Sequence, residues 1–509
     1  MTKETADNRN LTARSFKAVS LVLVFQLAAQ IFQIVLGICL VRMLEPSDYG
    51  IVAMLAIFWA VCNVFVDGGF AQALLQCRTV TSRDLSSVFY YNFALSFLFC
   101  LLMIAAAPRI ASFYGEEILI KTIRVSAWTL PITAVAAVPK VILGRKLMQG
   151  KISVSQLVGN VVSGVVTFYL AYNEYGVWAL VWQNFLAVAV TSLCILLFVR
   201  WVPSPEFSFS ALWKHFKYGS KLLASRLLFT FFGYIYNVAI GKVETKETLG
   251  LYEQGRRYAQ KIPRCVQSAF DTVLFPAFSK IQDDIPRLRA AFARAQQVSM
   301  GAFLFTGMAI FTLCYPAVSV VLSEKWVPAV PYCRFLVLAI LFYPAENLGR
   351  ILINSVGKSG TTLFLNIVSQ GMLGVNVVIL LIWGLPTMLV TNIVGTWLCD
   401  LLFARYTARE LNYPVRRQFR DNLPYFLFSL IACAVAWEIY VLLWNWNRIA
   451  SLAASASAAP LVYAALNIVF KTSAWAELAS IWRRRFPRRN REGAPPAEKK
   501  DASEEKYFS

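Results

Sequence analysis

Histidine is almost absent from this chain, and no cysteine motif accompanies it. The single histidine, His215, lies beside Lys214 and near Lys217, which disfavours a zinc or haem site. The ten cysteines form no C-x-x-C pair, and most stand alone in apolar segments. We interpret them as small core residues rather than disulfides or metal ligands, and we expect no cofactor.

Motifs for nucleotide and nucleic-acid chemistry are also missing. GKSG at residues 357–360 lacks the upstream glycine and the strand-to-helix setting of a Walker A sequence. We find no nucleic-acid-binding motif and attribute the net charge of +21 to membrane topology. Energy for transport would therefore come from an ion gradient, from substrate mass action or from a partner.

Long apolar runs are what the sequence has in abundance. With 58% hydrophobic residues and a mean hydropathy of +0.56, it is too apolar for a soluble protein. A span needs about 20 mainly apolar residues. This rule predicts an all-α integral membrane protein with about fourteen transmembrane helices, near 18–41, 49–69, 88–107, 123–143, 153–172, 177–199, 218–241, 259–279, 297–322, 332–353, 361–383, 387–408, 424–443 and 450–470.

Lysine and arginine fall in alternate connections, which predicts orientation. With a cytoplasmic N-terminus, groups such as Arg145, Lys146 and Lys151 lie inside, whereas the outside loops are poorer in net positive charge. An even number of spans returns the C-terminus to the cytoplasm. There the charged, basic tail from 483 to 509 is expected to be disordered and to approach anionic lipid.

An internal repeat appears at an offset of 200 residues. Gly50 recurs as Gly250 and Arg42 is answered by Lys242; Phe16, Lys17, Ser20, Leu23, Leu27 and Phe32 recur at 216, 217, 220, 223, 227 and 232. The repeat predicts two six-helix bundles related by a pseudo-two-fold along the membrane normal. The predicted division is a cytoplasmic N-terminus 1–17, bundles 18–200 and 218–410 joined by a cytoplasmic linker 201–217, two further helices within 411–482, and the tail.

Cations occur inside two predicted spans. Arg226 lies in the seventh, and Lys261 and Arg264 lie in the eighth. Together with Arg257, two residues before the eighth span, Lys261 and Arg264 have the spacing of one helix face. A charge at the bilayer centre costs about 2.5–3.5 kcal/mol, so such residues face a partner or a water-filled cavity. For Arg257 and its neighbour Arg256, snorkelling to the interface is an equal alternative.

Other intramembrane polar residues offer two interpretations each. Gln26, Gln30 and Gln33 form one face of the first span, with Gln26 at the repeat position of Arg226; they line a shared cavity or bond neighbouring helices. Asp67, Asp271 and Asp400 are candidates for a coupling proton or sodium ion, or for pairing. For Glu346 and Arg350, four residues apart, we favour simple pairing.

The sequence resembles a family at its first loop. Arg42, Leu44, Pro46, Asp48, Tyr49 and Gly50 fit the R-x-L-x-P-x-D-Y/F-G pattern of the Wzx-like bacterial polysaccharide transporters, in the multidrug/oligosaccharidyl-lipid/polysaccharide exporter superfamily. DGGFAQALLQ, APRIASFY and LGLYEQGRRYAQKIP follow in the family's order. The likeness covers roughly residues 13–410 and is greatest to the exopolysaccharide and colanic-acid branch.

The resemblance implies a bacterial inner-membrane flippase, not an enzyme. Its implied substrate is an oligosaccharide linked to undecaprenyl diphosphate, moved by alternating access through a cationic cavity. Membrane lipids, and the polymerase and chain-length proteins of the same pathway, are further candidate partners. Arg226, Arg257, Lys261 and Arg264 are the candidate cavity cations by position.

Two alternatives belong to other classes. A small-molecule efflux pump of the same superfamily would be expected to carry acids in its lumen if it exported organic cations, whereas the stripe here is basic. A membrane glycan polymerase or ligase would need general acids or bases on the outside, where the predicted loops are short and lack histidine.

Overall fold

A computed structural model describes residue 25 and residues 28–67, 74–75, 77, 80–146 and 148–472. Within them, side chains are described except at 67, 210–222, 224–225, 266, 268–269, 272 and 359. The predicted N-terminus 1–17, Gln26 and the tail 483–509 lie outside the described residues. Every regular element in the described part is helical, which confirms the predicted all-α fold.

The helices follow one another with short connections. We call the part before residue 200 the N-terminal half; its helices are α1 (Ala28–Met43), α2 (Pro46–Asp67), α3 (Ser82–Tyr114), α4 (Ile118–Ser126), α5 (Thr129–Arg145), α6 (Gln149–Tyr172) and α7 (Val177–Val199). The C-terminal half comprises α8 (Phe209–Val243), α9 (Lys246–Ser279), α10 (Ile285–Ala317), α11 (Val330–Ala339), α12 (Tyr343–Ser355) and α13 (Ser359–Leu411). The last two are α14 (Val415–Leu443) and α15 (Arg448–Val469).

The helices of the described part can be matched to the fourteen predicted spans. Ten helices of the described part are long and apolar enough to cross a membrane. The other predicted spans are α1, α8, the charged α9, and the second arm of α13. That helix turns at Gly384, whose φ of 81° is a conformation that glycine adopts without strain, so its two arms match two predicted spans.

Side-chain caps mark where several helices begin. At α3, Thr81 accepts a hydrogen bond from the Asp84 backbone N–H and Asp84 accepts one from Thr81, which makes a reciprocal capping box. Thr245 accepts from Thr248 at the start of α9, and Asp284 accepts from Arg287 at the start of α10. These caps satisfy amide groups that the first helical turn leaves without partners.

The two halves meet where α2 crosses α9. A Cβ added to Gly50 would lie 1.7 Å from the Lys246 carbonyl oxygen, and one added to Gly250 would lie 1.8 Å from the Pro46 carbonyl oxygen. Positions 46 and 246 are also 200 residues apart, so each contact is the repeat image of the other. We call this crossing the joint, and its reciprocity agrees with the predicted two-fold relation.

Polar contacts tie the halves together around the joint. Arg42 donates to the carbonyl oxygens of Val321 (2.6 Å) and Val320 (2.9 Å), and its repeat partner Lys242 donates to that of Phe113 (2.7 Å). The segments 113–117 and 320–326, which we call the straps, thus each bind the opposite half. Their ion pairs repeat the arrangement, with Lys246 to Glu116 at 2.9 Å and Lys325 to Glu45 at 3.1 Å.

The hydrophobic cores show where the halves are in contact. The largest cluster spans both halves at the joint and includes Leu40, Met54, Ile240, Leu249 and the fully buried Trp326, whose indole donates to the Val41 carbonyl oxygen. At the other end of the molecule, described residues around Val88 and Val141 form one cluster and those around Phe278 and Phe292 form another. The halves are therefore joined at one end and have separate cores at the other.

Gly50→Ala and Gly250→Ala test the joint. Because the added methyl group overlaps a backbone carbonyl, each substitution should lower the free energy of unfolding by about 1–3 kcal/mol, measured on purified protein in one detergent. Gly371→Ala in α13 is the control, since its Cβ would meet nothing within 4 Å. Equal stability of Gly50→Ala and Gly371→Ala would contradict the close contact.

Candidate functional site

The cations of α9 lie on the helix face that reaches the other half. At 3.6 residues per turn, Arg257, Lys261 and Arg264 fall within about 40° of Gly250 around the helix axis. Gly250 is where α9 touches α2. On the opposite face a Cβ at Gly255 would lie 2.9 Å from the Cys333 amide nitrogen, so that face packs inside the C-terminal half. The cations therefore lie on the side of α9 that touches α2 at the joint.

The three cations are exposed and unpaired within the described residues. Arg257, Lys261 and Arg264 each have an exposed side chain, and no carboxylate of the described part forms an ion pair with them. We call them the stripe. An unpaired charge at membrane depth is tolerated where water reaches it, so the stripe is suited to receive an anion.

Arg256, next to the stripe, has a different role. Its guanidinium pairs with Glu253 at 2.8 Å and donates to the Gly233 carbonyl oxygen of α8 at 3.2 Å. Asn237 of α8 in turn donates to Glu253 at 3.4 Å. Arg256 therefore holds α8 against α9. The sequence reasoning did not single out this role, although Glu253 three residues earlier was an available signal.

Arg226 lies on α8 at the depth of the stripe. The contacts of Asn237 with Glu253 and of Gly233 with Arg256 set an antiparallel register between α8 and α9. Continuing that register places Arg226, which is half-buried, level with Arg264. The structure therefore groups the four predicted cavity cations on two neighbouring helices.

The facing wall in the N-terminal half is apolar. At the repeat positions of Arg257, Lys261 and Arg264, α2 carries Ile57, Val61 and Val64, which are buried or half-buried. Of the three glutamines on the first span, Gln30 and Gln33 are exposed, and they share a helix face with Gly37, whose missing side chain would meet nothing within 4 Å. Gln26 lies outside the described residues.

The predicted acids have different surroundings. Asp271 is exposed and accepts hydrogen bonds from Gln267 (3.1 Å) and from Asn347 of α12. Glu346 and Arg350 form an ion pair on α12, with Arg350 also over the Phe403 ring. The Asp67 side chain lies outside the described part.

Asp400 differs from the other described acids of the set. It is 3% exposed, and neither of its oxygens has a hydrogen-bond partner among the residues that the structure describes.

Comparison with known proteins shows which family and which relatives this chain resembles. The model of a family described as polysaccharide biosynthesis protein matches residues 39–331. The chain is 23% identical over 302 residues to the succinoglycan biosynthesis transport protein ExoT of Rhizobium meliloti (strain 1021), covering 59% of this chain and 61% of ExoT. It is 25% identical over 303 residues to the teichuronic acid biosynthesis protein TuaB of Bacillus subtilis (strain 168), covering 58% and 60%. The alignments thus span about three fifths of these relatives.

A solved structure has the same fold. The lipid II flippase MurJ in an inward closed conformation aligns with a TM-score of 0.66 and 15% identity, covering 88% of this chain and 98% of MurJ. At this identity the likeness concerns the fold alone. The helices of this chain are therefore arranged as in that structure.

Replacing Arg256 and Lys261 separately should distinguish a structural cation from an exposed one. Arg256→Ala leaves Glu253 buried without its cation and should cost about 3–5 kcal/mol of folding free energy. Lys261→Ala removes no contact of the described residues and should change it by less than about 0.5 kcal/mol. Chemical unfolding in detergent measures both, and equal losses would contradict the assignment.

Proposed function

Because the chain belongs to the polysaccharide biosynthesis protein family, we propose that it moves undecaprenyl-diphosphate-linked oligosaccharides across the bacterial inner membrane by alternating access. The observation that supports this proposal is the stripe, in which three exposed cations lie on the side of α9 that touches α2 and no carboxylate of the described residues pairs with them.

The chemistry of such a substrate fits this site. A lipid-linked sugar has an anionic diphosphate, a hydroxyl-rich glycan and a long apolar tail. Arginine and lysine donate charge-assisted hydrogen bonds to phosphate oxygens, and arginine does so with two parallel N–H groups. Amides such as Gln30 and Gln33 can bond to hydroxyls. A carrier with these groups binds the polar head while the tail remains in lipid.

The difference between the two walls gives the head group a preferred side. Ile57, Val61 and Val64 offer no charge, so the N-terminal half provides an apolar surface. The diphosphate is then held by the C-terminal half, through the stripe on α9 and Arg226 on α8. A cavity with cations on one wall only binds the anion from one side. The anion can therefore leave when the halves move.

The alternation of lysine and arginine along the loops sets the direction of access. It puts the joint and the straps at the extracytoplasmic end, so that in this conformation the space between the halves opens toward the cytoplasm, where lipid-linked units are made. Release on the other side then requires the joint to separate and the far ends to close. A pump for organic cations is disfavoured, because its cargo would meet like charge at the stripe.

Removing one cation, either Lys261 of the stripe or the neighbouring Arg226, should abolish polymer export. In a strain lacking the chromosomal copy, Lys261→Ala or Arg226→Ala should reduce surface polysaccharide at least tenfold at unchanged protein level in the membrane, because the diphosphate loses its cationic partner. Lys261→Arg keeps the charge and should retain export. Lys358→Ala is the matched control, since this lysine pairs with Glu410 at 2.7 Å on a different part of the chain.

A variant that moves the positive charge from α9 to α2 tests the proposal more strictly. Lys261→Val combined with Val61→Lys keeps the total charge but moves it to the apolar wall. Export should not recover, because the diphosphate site is built on α9. Normal export by Lys261→Ala and Arg226→Ala together, or recovery in the exchanged variant, would contradict the proposal.

Cys265 is a native probe of whether the stripe is in contact with water. Its side chain is exposed beside Arg264, and Cys39, Cys77 and Cys194 can be replaced by serine to leave the buried thiols unreactive. A membrane-impermeant thiol reagent should label Cys265 in inverted membrane vesicles and not in spheroplasts, with Cys265→Ser as the unlabelled control. Labelling in neither preparation would mean that the stripe faces lipid, and labelling only in spheroplasts would reverse the orientation.

A further inference from the structure

A half-open cavity lies in the C-terminal half. It is lined by α10, α11, the second arm of α13 and α14, and its volume is about 660 Å³. Some lining side chains at its opening, such as Val394 and Phe419, are exposed. Most of its lining is apolar, including Leu304, Leu341, Trp397 and Phe426. Its polar lining residues are Gln296, Asp400, Gln418 and Asn422, of which Asp400 alone is ionisable.

Asp400 lacks the groups that would stabilise a carboxylate. It is 3% exposed, and neither oxygen accepts a hydrogen bond from a residue that the structure describes. By contrast, Asp271 accepts from two amides and Asp421 accepts from the Tyr413 hydroxyl at 2.6 Å. A buried charge without a partner is far more costly than a buried neutral carboxyl group, so these surroundings favour the protonated form of Asp400.

Two oxygens of the same cavity lack a donor. The Gln296 amide donates through Nε2 to Gln418 Oε1 at 3.2 Å, and that of Asn422 donates through Nδ2 to the Gln418 carbonyl oxygen at 2.8 Å. Their carbonyl oxygens, Gln296 Oε1 and Asn422 Oδ1, are buried and have no donor among the described residues. The cavity therefore contains two amide oxygens that can each accept a hydrogen bond.

The helix register brings these groups to one level. Gln418 Nε2 donates to the Ala404 carbonyl oxygen at 3.2 Å, which fixes α14 antiparallel to the second arm of α13. One turn further along both helices, Asp400 is level with Asn422. The hydroxyl of a protonated Asp400 is a donor of the kind that the amide oxygens require.

Other charged groups near the cavity have partners of their own. On α12, Glu346 is paired with Arg350, and Asp400 forms no ion pair with a described residue. On α11, Arg334 donates to the Phe311 carbonyl oxygen and lies over its ring. Beside Asp400, Cys399 contacts Met372 at 3.2 Å. Of α10 and α14, only uncharged residues line the cavity.

We propose that Asp400 is a proton-binding site of the C-terminal half. The step is transfer of one proton from hydronium to a carboxylate oxygen, which leaves water and a neutral carboxyl group and changes no oxidation state. Water that enters the cavity delivers the proton and also permits its release, and the protonated form is favoured while the cavity is dry. This site goes beyond the proposed cargo function and requires no knowledge of the cargo.

The helix α12 connects this site to the stripe. Ala345 lines the Asp400 cavity, and Asn347 two residues later donates to Asp271 on α9. A shift of α12 that admits water to Asp400 therefore also moves a ligand of Asp271, seven residues beyond Arg264. Proton binding and the position of α9 are thereby linked through one short helix.

Infrared difference spectroscopy of the purified full chain in lipid tests the site directly. As pH is lowered, the wild type should gain the carbonyl stretch of a protonated carboxyl group in an apolar environment. Asp400→Asn should lose this band completely, and Asp400→Glu should keep it at a shifted frequency. Asp421→Asn is the matched control and should leave the band unchanged.

Adding sodium tests the alternative that Asp400 binds a sodium ion instead of a proton. The spectra are repeated at one pH with sodium chloride and with choline chloride. A band that is absent from the wild type, that persists in Asp400→Asn, or that disappears specifically on addition of sodium would overturn the proposal. If Asp400→Asn fails to fold, the shifted band of Asp400→Glu decides the assignment. None of these readouts depends on polysaccharide export, so failure here is distinguishable from failure of the proposed function.

Discussion

A backbone contact between two glycines determines how the rest of the molecule is arranged. Gly50 and Gly250 let α2 and α9 approach until carbonyl oxygens occupy the space of absent side chains. The two halves share one hydrophobic core around this crossing and have separate cores farther away. Arg257, Lys261 and Arg264 lie along α9 beyond the crossing, on the helix face that bears Gly250.

Periodicity and repetition made much of this fold predictable. Apolar runs located the helices because membrane spans are encoded locally, and the all-α fold and the family resemblance are confirmed. The 200-residue offset linked Gly50 with Gly250, but it could not show that they touch, since contact depends on how two helices cross. Adjacent residues illustrate the limit: Arg256 and Arg257 differ by one position, yet the first is held by a carbonyl oxygen of α8 and the second is exposed.

The acids show the same limit of prediction from sequence. Asp271 and Asp400 look alike in sequence, since each is a single carboxylate in an apolar helix. Asp271 has amide donors from two helices, whereas Asp400 lies in a cavity where its neighbours are acceptors. The partners come from α12 and α14, and no local pattern records which residues of distant helices will meet. Among the described candidates, the cations of the stripe are thus exposed, whereas Asp400 is buried.

The straps have a consequence for how the halves can separate. Each strap belongs to one half and is bound by a helix of the other half. Arg42 of α1 donates to the strap 320–326, and Lys242 of α8 donates to the strap 113–117. Releasing one strap leaves the second holding the same two bodies, so a half-open intermediate gains little freedom for the contacts that it loses. The two straps should therefore release together rather than one after the other.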